Sequence, residues 1–184
     1  MLASDGWRTT LRDAVFPFAF GDGVPHDLGD DVLEVGPGPG LTTDLLLEHL
    51  DQVTAIELDR ELADALASRA GGRLTVVHGD ASDMPFEARR FTGVASFTML
   101  HHVPGTDIQD RLFAEVHRVL RPGGTFVASD GVGHPDLAAL HEDDVYNPVD
   151  PGDLPERLRR AGFDEVDVRV LADRMWAVRA TKAG

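Results

Sequence analysis

The sequence predicts an α/β protein whose mostly parallel sheet is covered by helices on both faces. Two observations lead to this fold class. Short apolar runs alternate with segments in which apolar residues recur three and four positions apart, as expected for strands joined by crossover helices. The last two strand patterns, "DEVDVRVL" and "MWAVRAT", are separated only by "ADR", which is too short for a crossover helix. The sheet is therefore predicted to be doubly wound and to end in an antiparallel hairpin.

The individual elements follow from the same patterns. Nearly continuous apolar runs predict parallel strands that are buried on both faces. These runs occupy residues 31–35, 53–57, 74–78, 93–98 and 125–129. The best-defined helix carries a single apolar stripe, which consists of Ile108, Leu112, Phe113, Val116, Val119 and Leu120. The stretch "GDLPERLRRAGF" predicts a last helix that ends at Gly162.

Length and composition favour one domain over the 184 residues, with a helical segment at 1–30 and the sheet core at 31–184. No apolar run reaches the roughly 18 residues of a membrane helix, and the N-terminus lacks the pattern of a secretory signal. The chain has no cysteine, which excludes disulfides and thiolate metal sites and fits a cytoplasmic protein.

The charge balance disfavours nucleic acid as a partner. The formal net charge is −15, and a field of that sign repels phosphate backbones. Lys182 is the only lysine, and the one local basic cluster consists of Arg157, Arg159 and Arg160. We interpret this cluster as a solvated helix face.

The loop "EVGPGPG" at residues 34–40 follows the first predicted strand, at the edge where open parallel sheets bind their ligands. Its glycines allow a ligand to approach the backbone closely. The next helix is predicted to start near Thr42 or Thr43, either of which is a plausible cap. Pro37 and Pro39 lack the N–H groups of a phosphate cradle, and the glycine spacing fits neither a P-loop nor the nicotinamide fingerprint. The loop therefore predicts a nucleoside ligand without a diphosphate.

Polar residues after the next two strands fit the same ligand. Glu57 can accept hydrogen bonds from both ribose hydroxyls, with a solvated strand-end carboxylate as the alternative. Asp80 can accept from an exocyclic amine and the Ala81 backbone can address a ring nitrogen, with a turn-stabilising aspartate as the alternative. Asp59 is better placed to cap the following helix.

Six ordered motifs make the chain resemble a known family. They are "VLEVGPGPG", "AIELDRE", "HGDASDMPF", "SFTMLHHV", "EVHRVLRPGG" and "RAGF". Their order and spacing resemble those of class I S-adenosylmethionine-dependent methyltransferases, most of all those acting on small molecules. The resemblance covers about residues 30–182. It implies a Rossmann-like, seven-stranded sheet with an antiparallel last strand, and S-adenosylmethionine as cofactor.

The resemblance also implies a set of cofactor-binding residues. They are Glu34, Gly36, Pro37, Gly38, Glu57, Leu58, Asp80, Ala81, Phe97 and Thr98. The residues of the glycine loop would border the methionine part of the cofactor, and Glu57 would bind the ribose. Asp80 and Ala81 would bind the adenine, and Phe97 and Thr98 would lie near the sulfonium. Thr92 stands where the family usually has an aspartate. We expect this difference to lower the stability of the structure rather than to abolish cofactor binding.

Candidate catalytic residues follow the fourth and fifth strands. Methyl transfer mainly requires that the acceptor atom be aligned with the methyl group of the cofactor. A general base is needed only if the acceptor is bound in its protonated form. His101 and His102 are candidates for a base or a substrate contact, and Asp130 for a substrate contact; a structural role is the alternative for each. Residues 130–151 are expected to form an acidic, substrate-side lid that favours a cationic or neutral substrate. His141 and its acidic neighbours match no standard metal pattern, so no metal is predicted.

The N-terminal stretch "GWRTTLRDAVFPFAF" is predicted to be an amphipathic helix. Its aromatic residues either pack on the core or roof the pocket, and packing is the favoured interpretation. These residues are Trp7, Phe16, Phe18 and Phe20.

Three functions are compatible with these patterns. The first is methyl transfer from S-adenosylmethionine to a small molecule. The second is RNA adenine methylation, because the glycine loop with "IELDRE" and "HGDA" also resembles the rRNA adenine dimethylases. Two features argue against RNA as the substrate. The chain has "SFTMLHH" where that group has an Asn-Leu-Pro-Tyr-like motif, and its net charge is negative. The third is a non-catalytic partner subunit that binds S-adenosylmethionine. The oligomeric state is left open, a homodimer being one option.

Overall fold

A seven-stranded sheet forms the centre of the structure, a computed structural model that describes residues 5–21, 23–134, 145–172 and 174–184. The strands are β1 (Val32–Val35), β2 (Val53–Glu57), β3 (Leu74–His78), β4 (Phe91–Phe97), β5 (Leu120–Gly131), β6 (Glu165–Leu171) and β7 (Met175–Thr181). Their order across the sheet is β3-β2-β1-β4-β5-β7-β6. Strands β1 to β5 pair in parallel, and β7 is antiparallel to β5 and β6. The predicted fold class is therefore confirmed.

Helices connect the strands and cover the sheet. They are α1 (Asp5–Thr10), α2 (Phe16–Phe20), α3 (Leu41–Leu47), α4 (Arg60–Arg69), α5 (Thr106–Val119) and α6 (Leu154–Ala161). A π-helical turn, Leu11–Val15, joins α1 to α2. Gly162 ends α6 in a left-handed conformation with φ of 110°, as predicted. In the part of the chain that the structure describes, no helix is long and apolar enough to cross a membrane.

Two apolar cores lie on opposite faces of the sheet. One core packs α5 and α6 against the sheet through side chains such as Phe113 and Leu158. The other packs the N-terminal helices and α3 through side chains such as Phe16 and Leu45. The chain runs outward from β1 to β3 and then returns to β4 beside β1. The connections after β1 and β4 therefore diverge, which opens a crevice at the carboxyl ends of these strands.

The start of α3 differs from the prediction. The helix begins at Leu41, directly after Gly40 at φ of 84°, so neither Thr42 nor Thr43 is its cap. Both hydroxyls instead donate 2.5 Å hydrogen bonds to the buried carboxylate of Glu34 on β1. A buried carboxylate needs hydrogen-bond donors, and the first turn of α3 supplies them.

The interpretation of Arg157 as part of a solvated helix face was wrong. Arg157 is only 6% exposed. Its guanidinium donates to Asp110 at 2.6 Å and to the Gln109 side chain at 2.9 Å, and it lies 5.1 Å from the centre of the Phe113 ring. The residue joins α6 to α5, because the arginine stem packs on apolar surface while its charge meets Asp110.

Candidate active site

A cavity of about 750 Å³ opens at the carboxyl ends of β1 to β4. Its size is that of a small-molecule site. The glycine loop, the segments that follow β2, β3 and β4, the N-terminal helix and Val145 all contribute to its lining. Every predicted cofactor-binding residue except Glu34 lines this cavity.

The glycine loop needs its glycines for two different reasons. Gly36 has φ of 65°, and a Cβ placed there would lie 2.1 Å from Met99 Cγ. The Met99 side chain therefore leaves no room for any larger residue at this position. Gly38 has φ of 54°, and a Cβ there would meet nothing within 4 Å. The backbone N–H of Gly40 donates to the Pro37 carbonyl at 2.9 Å and closes the turn. The loop thus presents Gly38 to open space.

Glu57 lies at the end of β2 and is 8% exposed. The Gly38 N–H donates to Glu57 Oε2 at 2.9 Å, and the Asp59 N–H donates to Oε1 at 3.0 Å. Each carboxylate oxygen keeps a second acceptor site. Asp59 caps α4 as predicted, because its Oδ1 accepts from the Leu62 N–H at 3.0 Å. Glu57 therefore holds the glycine loop against the start of α4 and also borders the cavity.

The Asp80 side chain stabilises a turn, because its Oδ1 accepts from the Ser82 N–H at 2.7 Å. The same residue lines the cavity together with Ala81 and the exposed Leu58. Asp80 therefore both stabilises the turn and lines the cavity.

Glu34 lies behind the glycine loop. It is 1% exposed, and both of its oxygens are occupied by threonine hydroxyls of α3. Burial raises the pKa of Glu34 to about 7, although the bonds from Thr42 and Thr43 act in the opposite direction. This carboxylate holds β1 and α3 together under the loop.

Phe97, the last residue of β4, and Thr98, which follows it, line the cavity. Phe97 is buried and packs against Phe16, with ring centroids 5.3 Å apart. Thr98 has φ of 50°, which is strained for a β-branched residue, and its N–H donates to the Ser129 carbonyl at 2.8 Å. Strained residues of this kind cluster at ligand sites.

The three candidate catalytic residues lie in different environments. Asp130 is 1% exposed. Its Oδ1 accepts from His101 Nδ1 at 2.6 Å and its Oδ2 from the His101 N–H at 2.9 Å. Neither partner lines the cavity, whereas His102 does, and the two imidazole rings lie 4.1 Å apart. His102 is therefore the one of the three that lines the cavity, and His101, which pairs with Asp130, lies next to it.

The Thr92 hydroxyl lies at the opposite, N-terminal end of β4. It accepts from the Asp31 N–H and donates to the Asp31 carbonyl, both at 3.0 Å. This side chain ties the start of β4 to the residue before β1 and does not line the cavity.

The N-terminal helical segment shows both of the roles considered for its aromatic residues. Phe16 and Phe20 pack in the core as predicted, and Trp7 packs against the same core and also lines the cavity. Sequence reasoning missed Leu11, which lines the cavity with Trp7. These two residues are four apart on a continuous helical segment and therefore share a face, a spacing that was readable in the sequence. Among the described residues no group of three or more metal-ligating side chains is present. Residues 135–144 of the predicted lid, His141 among them, lie outside the described residues.

Comparison with known proteins identifies the family. A methyltransferase domain matches residues 33–128, just over half of the chain. The chain belongs to the S-adenosylmethionine-dependent methyltransferases.

Curated relatives of this methyltransferase match only in part. A protein of Mycolicibacterium smegmatis, named as a probable S-adenosylmethionine-dependent methyltransferase, is 29% identical over 76% of this chain and 54% of its own length. Ribosomal RNA small subunit methyltransferase A of Cupriavidus taiwanensis is 49% identical, over 35% of this chain and 23% of its own length. The chain thus spans between about a quarter and about half of the length of these relatives.

Solved methyltransferases share the fold. A Haloferax volcanii methyltransferase, solved in complex with the Trm112 activator, has a TM-score of 0.76 and 18% identity over 98% of this chain and 96% of its own. Phosphoethanolamine N-methyltransferase 2 of Haemonchus contortus, solved with phosphomonomethylethanolamine and S-adenosylhomocysteine, has a TM-score of 0.75 and 18% identity over 94% of this chain and 52% of its own.

The cavity of this methyltransferase fits the family's cofactor. The space beside Gly38 is open to a ligand, and the Glu57 carboxylate offers acceptor sites for hydroxyl groups. Pro37 and Pro39 reduce the number of backbone donors in the lining. These features suit a nucleoside with an amino-acid tail better than a nucleoside diphosphate.

Proposed function

We propose that this methyltransferase transfers the methyl group of S-adenosylmethionine to a small-molecule acceptor. The observation that carries the proposal is one continuous cavity that runs from the ends of β1 to β3, past Thr98 and His102, to Trp7 on the N-terminal helix. In this proposal the polar residues after β2 and β3 form the nucleoside end, and the rest of the cavity takes the acceptor.

The residues at the nucleoside end have separable roles in this proposal. Glu57 accepts the ribose hydroxyls, the Asp80–Ala81 segment binds the adenine edge, and Gly36 to Gly38 border the methionine tail. Phe97 and Thr98 lie at the boundary between the two ends. When bound, S-adenosylmethionine supplies an electrophilic methyl carbon. The protein then has to align the acceptor and exclude water.

His102 handles the acceptor proton in this proposal. An acceptor N–H or O–H must lose a proton as it gains the methyl group, and an imidazole can take that proton near neutral pH. The products are then the methylated acceptor, the demethylated cofactor and one proton on His102 that is released to water. The neighbouring His101–Asp130 pair holds the turn that carries His102, because Asp130 binds both the ring and the backbone of His101.

RNA adenine methylation is the second candidate. The 49% identity with the ribosomal RNA methyltransferase supports it, although that match covers only 64 residues. The net charge of −15 argues against it, because phosphate contacts dominate RNA affinity and require cationic side chains.

Incubation of the purified protein with methyl-labelled S-adenosylmethionine and a cell extract tests these candidates. We expect label in the small-molecule fraction, and less of it with the Glu57→Ala and His102→Ala variants. Label confined to RNA would establish the second candidate instead. If no fraction is labelled although S-adenosylhomocysteine binds by calorimetry, the protein is a non-catalytic cofactor-binding subunit, and the proposal is wrong.

A further inference from the structure

Apolar side chains from three separate parts of the chain contribute to the cavity lining. We call four of them the acceptor wall and define it as Trp7, Leu11, Met99 and Val145, all of which line the cavity. Trp7 and Leu11 come from the N-terminal helical segment, Met99 follows β4, and Val145 follows the predicted lid. These residues converge from three separate parts of the chain, and His102 is the titratable side chain beside them.

The carboxylates of the cavity lie at or after the ends of β2 and β3. Glu57, Asp59 and Asp80 line the cavity where β2 and β3 end. No lysine or arginine lines it among the residues that the structure describes.

The arginines next to wall residues in sequence, and the arginine that contacts the glycine loop, form ion pairs with other acids. Arg8, which follows Trp7, approaches Asp44 at 3.5 Å. Arg12, which follows Leu11, pairs with Glu48. Arg69 binds Asp44 at 2.9 Å and the Pro39 carbonyl at 3.0 Å. None of these contacts points a cation at the acceptor wall.

We propose that the acceptor is a neutral or cationic molecule with an apolar ring that packs on Trp7, and not a carboxylate or phosphate. This inference rests on the proposed methyl transfer and names its substrate class. A carboxylate or phosphate against this wall would lose its hydration, and the described lining offers it no lysine or arginine as a partner. A cation over an indole face is instead stabilised, and the negative field of the molecule attracts it.

The proposal separates this chain from a protein with a similar fold. The Haemonchus contortus enzyme was solved with phosphomonomethylethanolamine, which carries a phosphate. The acceptor wall has no cationic side chain to bind such a group, so the shared fold does not imply a shared acceptor.

Three probes that share a phenol ring test the charge preference. They are p-cresol, which is neutral, tyramine, which is cationic, and 3-(4-hydroxyphenyl)propionate, which is anionic. Each is titrated calorimetrically into the protein saturated with S-adenosylhomocysteine. We expect p-cresol and tyramine to bind at least about ten-fold more tightly than the propionate. Equal or tighter binding of the propionate, or no binding of any probe, would overturn the proposal.

A charge placed on the wall should reverse the preference. Val145 is 40% exposed and lines the cavity, so Val145→Lys adds a cation there without burying it deeply. This variant should bind the propionate more tightly and tyramine more weakly than the natural protein. Val170→Lys is the matched control, because Val170 is 47% exposed on β6 and does not line the cavity. Identical preferences in both variants would contradict the assignment of the wall.

The role of Trp7 has its own readout. Trp7→Ala should lower the affinity for p-cresol and for tyramine by about ten-fold, and Trp7→Phe should retain much of that affinity. Neither substitution should change the affinity for S-adenosylhomocysteine. Unchanged probe binding in Trp7→Ala would overturn the packing on Trp7. Failure of S-adenosylhomocysteine itself to bind would contradict the proposed function, whereas intact cofactor binding with a preference for the propionate would contradict only the acceptor class.

Discussion

Glu57 accepts two backbone hydrogen bonds, from Gly38 and Asp59, at the edge of the cavity. Glu57→Ala should therefore weaken binding of S-adenosylhomocysteine by about 1–3 kcal/mol, because a ribose partner is lost and two N–H groups lose their acceptor. Calorimetry measures this directly. Glu61→Ala is the control, since Glu61 is an exposed acid in the first turn of α4. Equal affinities in both variants would rule out the ribose contact.

His102 and His101 should respond differently to truncation. His102→Ala should lower the rate of turnover by about 10²-fold or more if it acts as a base, with little change in cofactor affinity. His101→Ala leaves the buried Asp130 carboxylate without its ring partner, so it should cost roughly 1–3 kcal/mol of folding free energy. Turnover assays and urea denaturation separate the two effects. Full activity in His102→Ala would assign that residue a structural role only.

At the scale of elements, the contact between β1 and α3 makes stability depend on pH. Burial raises the pKa of Glu34 to about 7, above its ordinary value of 4.5. The native state therefore holds this proton more tightly than the unfolded state, and its contribution to stability is complete below pH 4.5 and is lost as pH rises through 7.

Glu34→Gln removes that proton equilibrium. The unfolding free energy of the variant relative to the natural protein should rise by on the order of 2–3 kcal/mol between pH 5 and pH 8. Urea denaturation at both pH values measures the difference. Parallel pH profiles for the two proteins would show that Glu34 titrates as an ordinary carboxyl group.

The docking of α6 on α5 depends on Arg157. Arg157→Ala leaves Gln109 and Asp110 without their partner and removes packing on Phe113, so unfolding free energy should fall by roughly 2–4 kcal/mol. Arg160→Ala, an exposed position on the same helix, should change it by less than about 0.5 kcal/mol. Chemical denaturation compares the two variants. Similar losses in both would restore the solvated-face interpretation.

At the scale of the whole molecule, a net charge of −15 on 184 residues opposes compaction. Raising NaCl from 10 to 150 mM shortens the Debye length from about 30 Å to about 8 Å. The unfolding free energy in urea should therefore increase over this range. A decrease would mean that exposed ion pairs, such as Arg12 with Glu48, contribute more than the overall repulsion.

Much of the fold was predictable because its signals are local. β2 and β3 have the predicted bounds, and Gly162 ends α6 as expected. Residues that act across elements were harder to predict. Helical periodicity places Arg157 on the same face as Leu154 and Leu158, and Arg160 on the other face. The sequence nevertheless does not show what pairs with Arg157, because the acid and amide that bind it belong to another helix. The same holds for Thr42 and Thr43, whose hydroxyls bind a carboxylate on β1 instead of capping their own helix.

By itself the sequence determined the alternation of strands and helices and the antiparallel end of the sheet, and it predicts the kind of ligand that fits the glycine loop. These follow from side-chain periodicity and from prolines that lack N–H groups in any fold. Only the tertiary structure decided that His102 and not His101 lines the cavity, and that Trp7 and Val145 line the same cavity. Neighbouring residues can point in opposite directions, and distant segments meet only once the sheet has been assembled.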